Sequence, residues 1–77
     1  MSDPRQEFSE KLRSLRTKKN ISQEKLAKLT KIDRSYMGRV DRGEVNLTFD
    51  TLLKIAKALE CQPAELMPHI EYNKDKT

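Results

Sequence analysis

The chain has 77 residues, of which 36% are charged and 35% hydrophobic, with two Tyr, two Phe, no Trp and a formal charge of +4. That length allows one small domain with a modest core whose stability leans on a partner subunit, so a homodimer is expected and a deep catalytic cleft is not. Lys, Glu, Leu, Arg and Ala fill most periodic positions and β-branched runs are missing, which makes the all-α class the expected one.

The charge is unevenly spread. Residues 1–21 carry six Lys or Arg against three acids, residues 22–43 six against three, and residues 44–77 four against six, an excess of +3, +3 and then −2. On charge alone, a face that gathers near nucleic acid phosphates and an ordinary solvated lysine-rich surface are equally good accounts. The lone Cys61 excludes an internal disulfide and a thiolate metal cluster. Met1 to Arg5 is polar with no apolar run after it, and no apolar stretch is long enough to span a bilayer, so a cytoplasmic setting is expected.

Asp3, Pro4 and Gln6 predict a helix start: an N-cap acceptor, a proline at the first helical position and an amide able to reach back to the cap. Phe8, Leu12 and Leu15 continue it at i, i+4 and i+7, giving an amphipathic helix over about 4–18 with Lys11, Arg13 and Arg16 on its outer face. Lys18, Lys19 and Asn20 close it, Asn being tolerant of a left-handed turn. The following starts share one device. Ser22, Asp33 and Thr48 are N-cap residues, each with an apolar residue just before it and another four positions after it: Ile21 with Leu26, Ile32 with Met37, Leu47 with Leu52. Cys61 with Leu66 repeats the pattern around Gln62, where Pro63 takes the first helical position. Helices are therefore expected at about 23–29, 34–41, 49–59 and 63–67. Gly43 is the expected C-cap of the third, with Glu44 to Leu47 as a connecting loop. In the fourth, Leu52, Ile55, Ala56 and Leu59 line one face; Leu53 lies off it and suits either a wide stripe or a dimer contact. The segment after Pro68 lacks a sustained period and reads as an extension ending in a polar tail at about 71–77, outside a core of about 4–67.

Gln23 to Arg42 forms the organising unit, two short helices joined by a tight turn. Its second helix turns Met37 and Val40 inward and leaves Ser35, Gly38, Arg39 and Arg42 outward, flanked by Arg34, with no acidic residue expected in that patch. A helix edge of arginines and a hydroxyl suits a DNA major groove.

The run SQEKLAKLTKIDRSYMGRVDRG resembles the helix-turn-helix of the Cro/C1 (Xre) family of bacterial and phage regulators, and the expected layout matches that family's compact five-helix, lambda-repressor-like domain. Within the family, DRSY followed by Asn46, Leu47 and Thr48 is similar to the controller proteins of restriction-modification systems. The resemblance implies double-stranded DNA as partner, a homodimer, no cofactor, and contact with RNA polymerase if the protein activates transcription. It implies base reading by Arg34, Ser35 and Arg39, with Arg34 best suited because a guanidinium bridges O6 and N7 of guanine. Gln23, Tyr36, Asn46, Thr48 and Arg42 would meet the DNA backbone. Leu53, Leu66, Met67 and Ile70 would supply the dimer contact away from the basic side. Many relatives have an apolar residue and then glycine where this chain has Thr30 and Lys31, so Lys31 is expected to bear mild left-handed strain. Glu44 and Val45 likewise replace basic loop residues that some relatives use.

Rival readings fare worse. Ser22, Ser35 and Asp33 form no triad, and no glycine-rich phosphate loop or metal-ligand cluster is present, so an enzyme is not expected. His69 reads as an exposed histidine, Cys61 as a small apolar filler and Asp33 as a cap. Arg39, Asp41 and Arg42 would read as solvated surface charge on an ordinary helix; inside this motif that reading is reversed for Arg39 and left open for Arg42. A phage-type repressor, or an antitoxin-like interaction module, is the alternative.

Overall fold

The computed structural model describes residues 3–69, and the expected Ile70 contact lies outside them. Four α-helices follow in order, α1 Pro4–Lys18, α2 Gln23–Thr30, α3 Arg34–Asp41 and α4 Phe49–Ala58, then a single 3-10 turn over Pro63–Glu65. The all-α expectation holds among the described residues, with four helices rather than five. Pro63 has no N–H and Pro68 follows closely, so the last segment closes only short bonds, from the Leu66 N–H to the Pro63 carbonyl (3.0 Å) and from the Met67 N–H to the Ala64 carbonyl (3.3 Å).

Each α-helix starts on the anticipated cap. Asp3, Ser22, Asp33 and Thr48 accept from the backbone N–H of Arg5 (2.9 Å), Lys25 (3.0 Å), Tyr36 (3.1 Å) and Thr51 (3.1 Å). Gln6 does not reach back to its cap: its amide donates to the Arg42 carbonyl at 3.1 Å and to that of Gly43 at 3.5 Å, tying the start of α1 to the end of α3.

The helix ends repeat one another too. Asn20, Lys31, Gly43 and Glu60 all have positive φ, at 57, 59, 72 and 53°. Behind each, an N–H bonds a carbonyl five residues back: Ile21 to Arg16, Ile32 to Ala27, Glu44 to Arg39 and Cys61 to Ala56. Ile21, Ile32 and Cys61 thus close one element and, as the apolar residue before the next cap, open the following one, which fixes the angle between successive elements. All three pack against the core.

That core consists of Phe8, Leu12, Leu26, Ala27, Met37, Val40, Ile55, Ala56, Leu59 and Leu66. Burial of each large aliphatic member contributes about 1.5–3 kcal/mol. Leu66 is fully buried, which corrects its expected place in a dimer contact. The 3-10 turn itself buries no residue, and Leu66, just after it, is the side chain that this segment sends into the core. Thr30 is also buried, its hydroxyl donating to the carbonyls of Leu26 (2.8 Å) and Ala27 (3.2 Å), so a polar residue is accommodated at this core position.

Candidate nucleic-acid interface

The left-handed residue Lys31 ends α2 and lets Ile32 turn into the core before Asp33 caps α3. Two short helices are thereby held with the start of α2 beside the outer side of α3. A polar cleft lies between them, lined by the cap Ser22 and by Gln23 and Glu24 of α2, and by Arg34, Ser35, Gly38 and Arg42 from α3 and its end.

On α3, Met37 and Val40 are buried whereas Arg34, Ser35 and Arg39 are exposed. Tyr36 is half-buried against the core. The patch is not free of acids as expected. Glu24 Oε1 stands 3.7 Å from Arg34 Nη1, with both side chains well exposed (63% and 75%), and Glu44 grips Arg42 through Nε (2.8 Å) and Nη2 (3.4 Å). The hydrogen bond and charge of Glu44 push the Arg42 guanidinium up, and Arg42 holds the Glu44 carboxyl below its ordinary value, helped by Arg39.

Gly38 is buried yet lines the cleft, at its floor. A Cβ there would lie 3.2 Å from Arg42 Nη1 and 3.5 Å from Gln23 Oε1, so these two polar groups roof the glycine closely and the Arg42 guanidinium would have to shift slightly for alanine. Gln23 is itself anchored from below, its Nε2 donating to Asp41 Oδ2 at 2.9 Å. One N–H of that amide is spent on the protein, leaving the other for a ligand.

Asp41 is the residue that sequence reasoning most misjudged. It is 3% exposed and gathers Arg16 (Nε at 3.1 Å, Nη2 at 3.3 Å) as well as Gln23 on its carboxylate. Its carbonyl accepts from the Ser9 hydroxyl and from Arg13 Nη1 (2.9 Å). Arg16 also donates to the Ile21 carbonyl at 3.0 Å, so the outer-face assignment of Arg13 and Arg16 is corrected: both brace α1 against α3. A signal was present, since Arg16 falls four residues after Leu12 and Asp41 four after Met37, on the buried stripes of their helices.

Asn46 and Thr48 are not brought to this cleft. They border a second, mainly apolar groove that also includes Phe8, Phe49, Leu52 and Met67. The Thr48 hydroxyl caps α4 and donates to the Thr51 hydroxyl at 2.9 Å. Near that groove the exposed apolar side chains are Phe49 (74%) and Met67 (45%), with Leu53 (41%) on α4; Phe49, which the sequence reading passed over, is the most exposed of them. Among the described residues no group of three His, Cys, Asp or Glu is placed to hold a metal, and no helix is long and apolar enough to cross a membrane.

Comparison with known proteins agrees with this architecture. Control protein C.SmaI of Serratia marcescens is 40% identical over 65 residues, 84% of this chain and 77% of that protein. Control protein C.BamHI of Bacillus amyloliquefaciens is 43% identical over 61 residues, 78% of this chain and 75% of that one. The crystal structure of the restriction-modification controller protein C.AhdI from Aeromonas hydrophila superimposes with a TM-score of 0.78 at 48% identity, covering 82% of this chain and 96% of that one. Residues 11–72 match the model of the Cro/C1-type helix-turn-helix DNA-binding domain, and the chain belongs to that family.

Proposed function

We propose that the chain is a homodimeric, sequence-specific transcription regulator, the controller of a restriction-modification system, acting in the cytoplasm as one domain. The observation that carries this reading is the division of α3: Met37 and Val40 anchor one side in the core while Arg34, Ser35 and Arg39 stand exposed on the other. A helix held rigidly by half its circumference presents its free edge in a fixed register, as major-groove reading requires. Arg34 and Arg39 read base edges, with Ser35 a weak discriminator, and Gln23, Tyr36 and Arg42 meet phosphates beside them. Asn46 and Thr48 meet the backbone from the loop before α4.

Two subunits bind half-sites about one helical turn, roughly 34 Å, apart. Exposed Leu53, Met67 and Phe49 supply apolar surface for their contact. The similarity to controller proteins supports action on the chain's own operon, activating through RNA polymerase at one occupancy and repressing at a higher one.

Selection of bound sequences from random duplexes with the purified chain tests the proposal. A two-fold symmetric consensus is expected. Absence of any consensus would overturn it and favour an antitoxin-like interaction module.

A further inference from the structure

We propose that Glu24 and Glu44 are positioning residues that set the ratio of specific to non-specific DNA binding, an inference that rests on the DNA-reading role of α3. Each carboxylate holds part of an arginine at the cleft and narrows the directions from which a phosphate can reach it. The geometry differs at the two ends. Glu44 occupies the Nε and Nη2 side of Arg42, at 2.8 and 3.4 Å, and leaves Nη1 over Gly38, where a Cβ would approach it to 3.2 Å. Glu24 stands 3.7 Å from Nη1 of Arg34, across the mouth of the cleft.

The consequence follows from what each DNA group demands. A guanidinium has five N–H donors, so an arginine that keeps one carboxylate still offers N–H groups to O6 and N7 of a guanine, which carry only partial charge. A phosphate carries a full negative charge, and reaching either arginine brings it against the carboxylate as well. Glu24 adds a further obstacle. It lies in the first turn of α2, where the helix dipole favours an anion, so its charge weakens the pull of that helix end on any phosphate not held by Gln23. Base contacts therefore tolerate the two acids, whereas a phosphate is accepted only where the open Nη1 of Arg42 and the free N–H of Gln23 face it, as in the specific register.

The test compares Glu24→Gln and Glu44→Gln in the full chain, using the duplex enriched by selection and a mixed-sequence duplex that the selection rejects, across a series of salt concentrations. For each variant the mixed-sequence Kd is expected to tighten about 3- to 8-fold near 0.1 M salt, its salt slope to steepen by about 1, and the selected-duplex Kd to stay within about 2-fold. Glu60→Gln adds the same charge on an exposed residue that does not line the cleft, and is expected to leave the ratio of the two affinities unchanged. Equal tightening on both duplexes, no change on either, or a ratio matching that of Glu60→Gln would overturn the inference while leaving DNA reading intact. Failure of the unmodified chain to enrich any sequence would instead defeat the DNA-reading proposal, and this inference with it.

Discussion

Arg16 on α1 and Asp41 at the end of α3 face each other at 3.1 Å with side chains only 14% and 5% exposed, so the helix proposed to read DNA is fastened to the scaffold by a nearly dry ion pair. Such a pair is weak evidence for net stability, because two charges lose their water to form it. Loss of one partner is another matter. Asp41→Asn leaves the Arg16 guanidinium buried without a counter-charge and is expected to cost about 3 kcal/mol, read as a lower urea midpoint at unchanged slope. A loss under about 0.5 kcal/mol would show that solvent reaches the pair freely.

Leu66 and Leu53 separate core from surface. Leu66→Ala removes a fully buried side chain and is expected to cost about 2–5 kcal/mol in chemical denaturation. Leu53 is 41% exposed, so Leu53→Glu is expected to preserve the unfolding transition of the subunit and to yield monomers in sedimentation. A persistent dimer would move the interface to another surface, with Phe49 as the next residue to change.

The apolar periods of α1 and α4 and the caps Asp3, Ser22, Asp33 and Thr48 were legible because they are local: a residue and its neighbours three or four positions away decide them. Asp41 was not. Its place on the buried stripe four residues after Met37 hinted at burial, but its partner Arg16 is 25 residues distant and emerges only once the second helix is in place. The same holds for Gln6, whose amide finds the Arg42 carbonyl 36 residues on instead of its own cap. Exposure of Phe49 escaped notice for a related reason: a residue just past a cap belongs to no complete turn, so periodicity is silent about its direction. At the cleft, the outward set Arg34, Ser35 and Arg39 followed from Met37 and Val40, whereas the pairing of Glu24 with Arg34 depends on how α2 crosses α3.

Lys31 is held at φ 59°, a conformation that costs an L residue about 1–2 kcal/mol relative to glycine. Its side chain is exposed and its backbone N–H donates to the Lys28 carbonyl at 3.3 Å, a bond that glycine keeps. Glycine also raises the entropy of the unfolded chain by about 0.4–1 kcal/mol, which offsets part of the gain. Lys31→Gly is therefore expected to stabilise the chain by roughly 0.5–1 kcal/mol in thermal or urea unfolding. A destabilised variant would mean that the Lys31 side chain makes a compensating contact.

The Glu44 carboxyl titrates below its ordinary 4.5 because it accepts a hydrogen bond from Arg42 and feels its charge. A depressed folded value means that the fold gains from the ionised form above 4.5 and loses that gain as pH falls through the folded value. In a side-chain NMR titration the Glu44 midpoint is expected below 4.5 and should return towards it in Arg42→Ala. A midpoint indifferent to Arg42 would show that the pair does not persist in solution.

Arg34 and Gln23 line the same cleft yet have different tasks under the proposed function, and their substitutions should separate base reading from backbone positioning. Arg34→Ala removes a planar donor able to bridge O6 and N7 of guanine, so it is expected to cost about 1–3 kcal/mol on the selected operator and much less on unrelated DNA. Gln23 is short, and one of its N–H groups is already held by Asp41 at 2.9 Å, which fixes the remaining donor at the start of α2. A donor so placed meets phosphate whatever the base pair, and Gln23→Ala should weaken all duplexes alike. Equal losses on both duplexes for Arg34→Ala would remove it from the base-reading set, and unchanged non-specific affinity for Gln23→Ala would remove it from the phosphate set. Because Gln23 bonds Asp41 whereas Arg34 pairs with the exposed Glu24, the urea midpoint of each variant, measured alongside its affinities, keeps a change in folding from passing for a change in recognition.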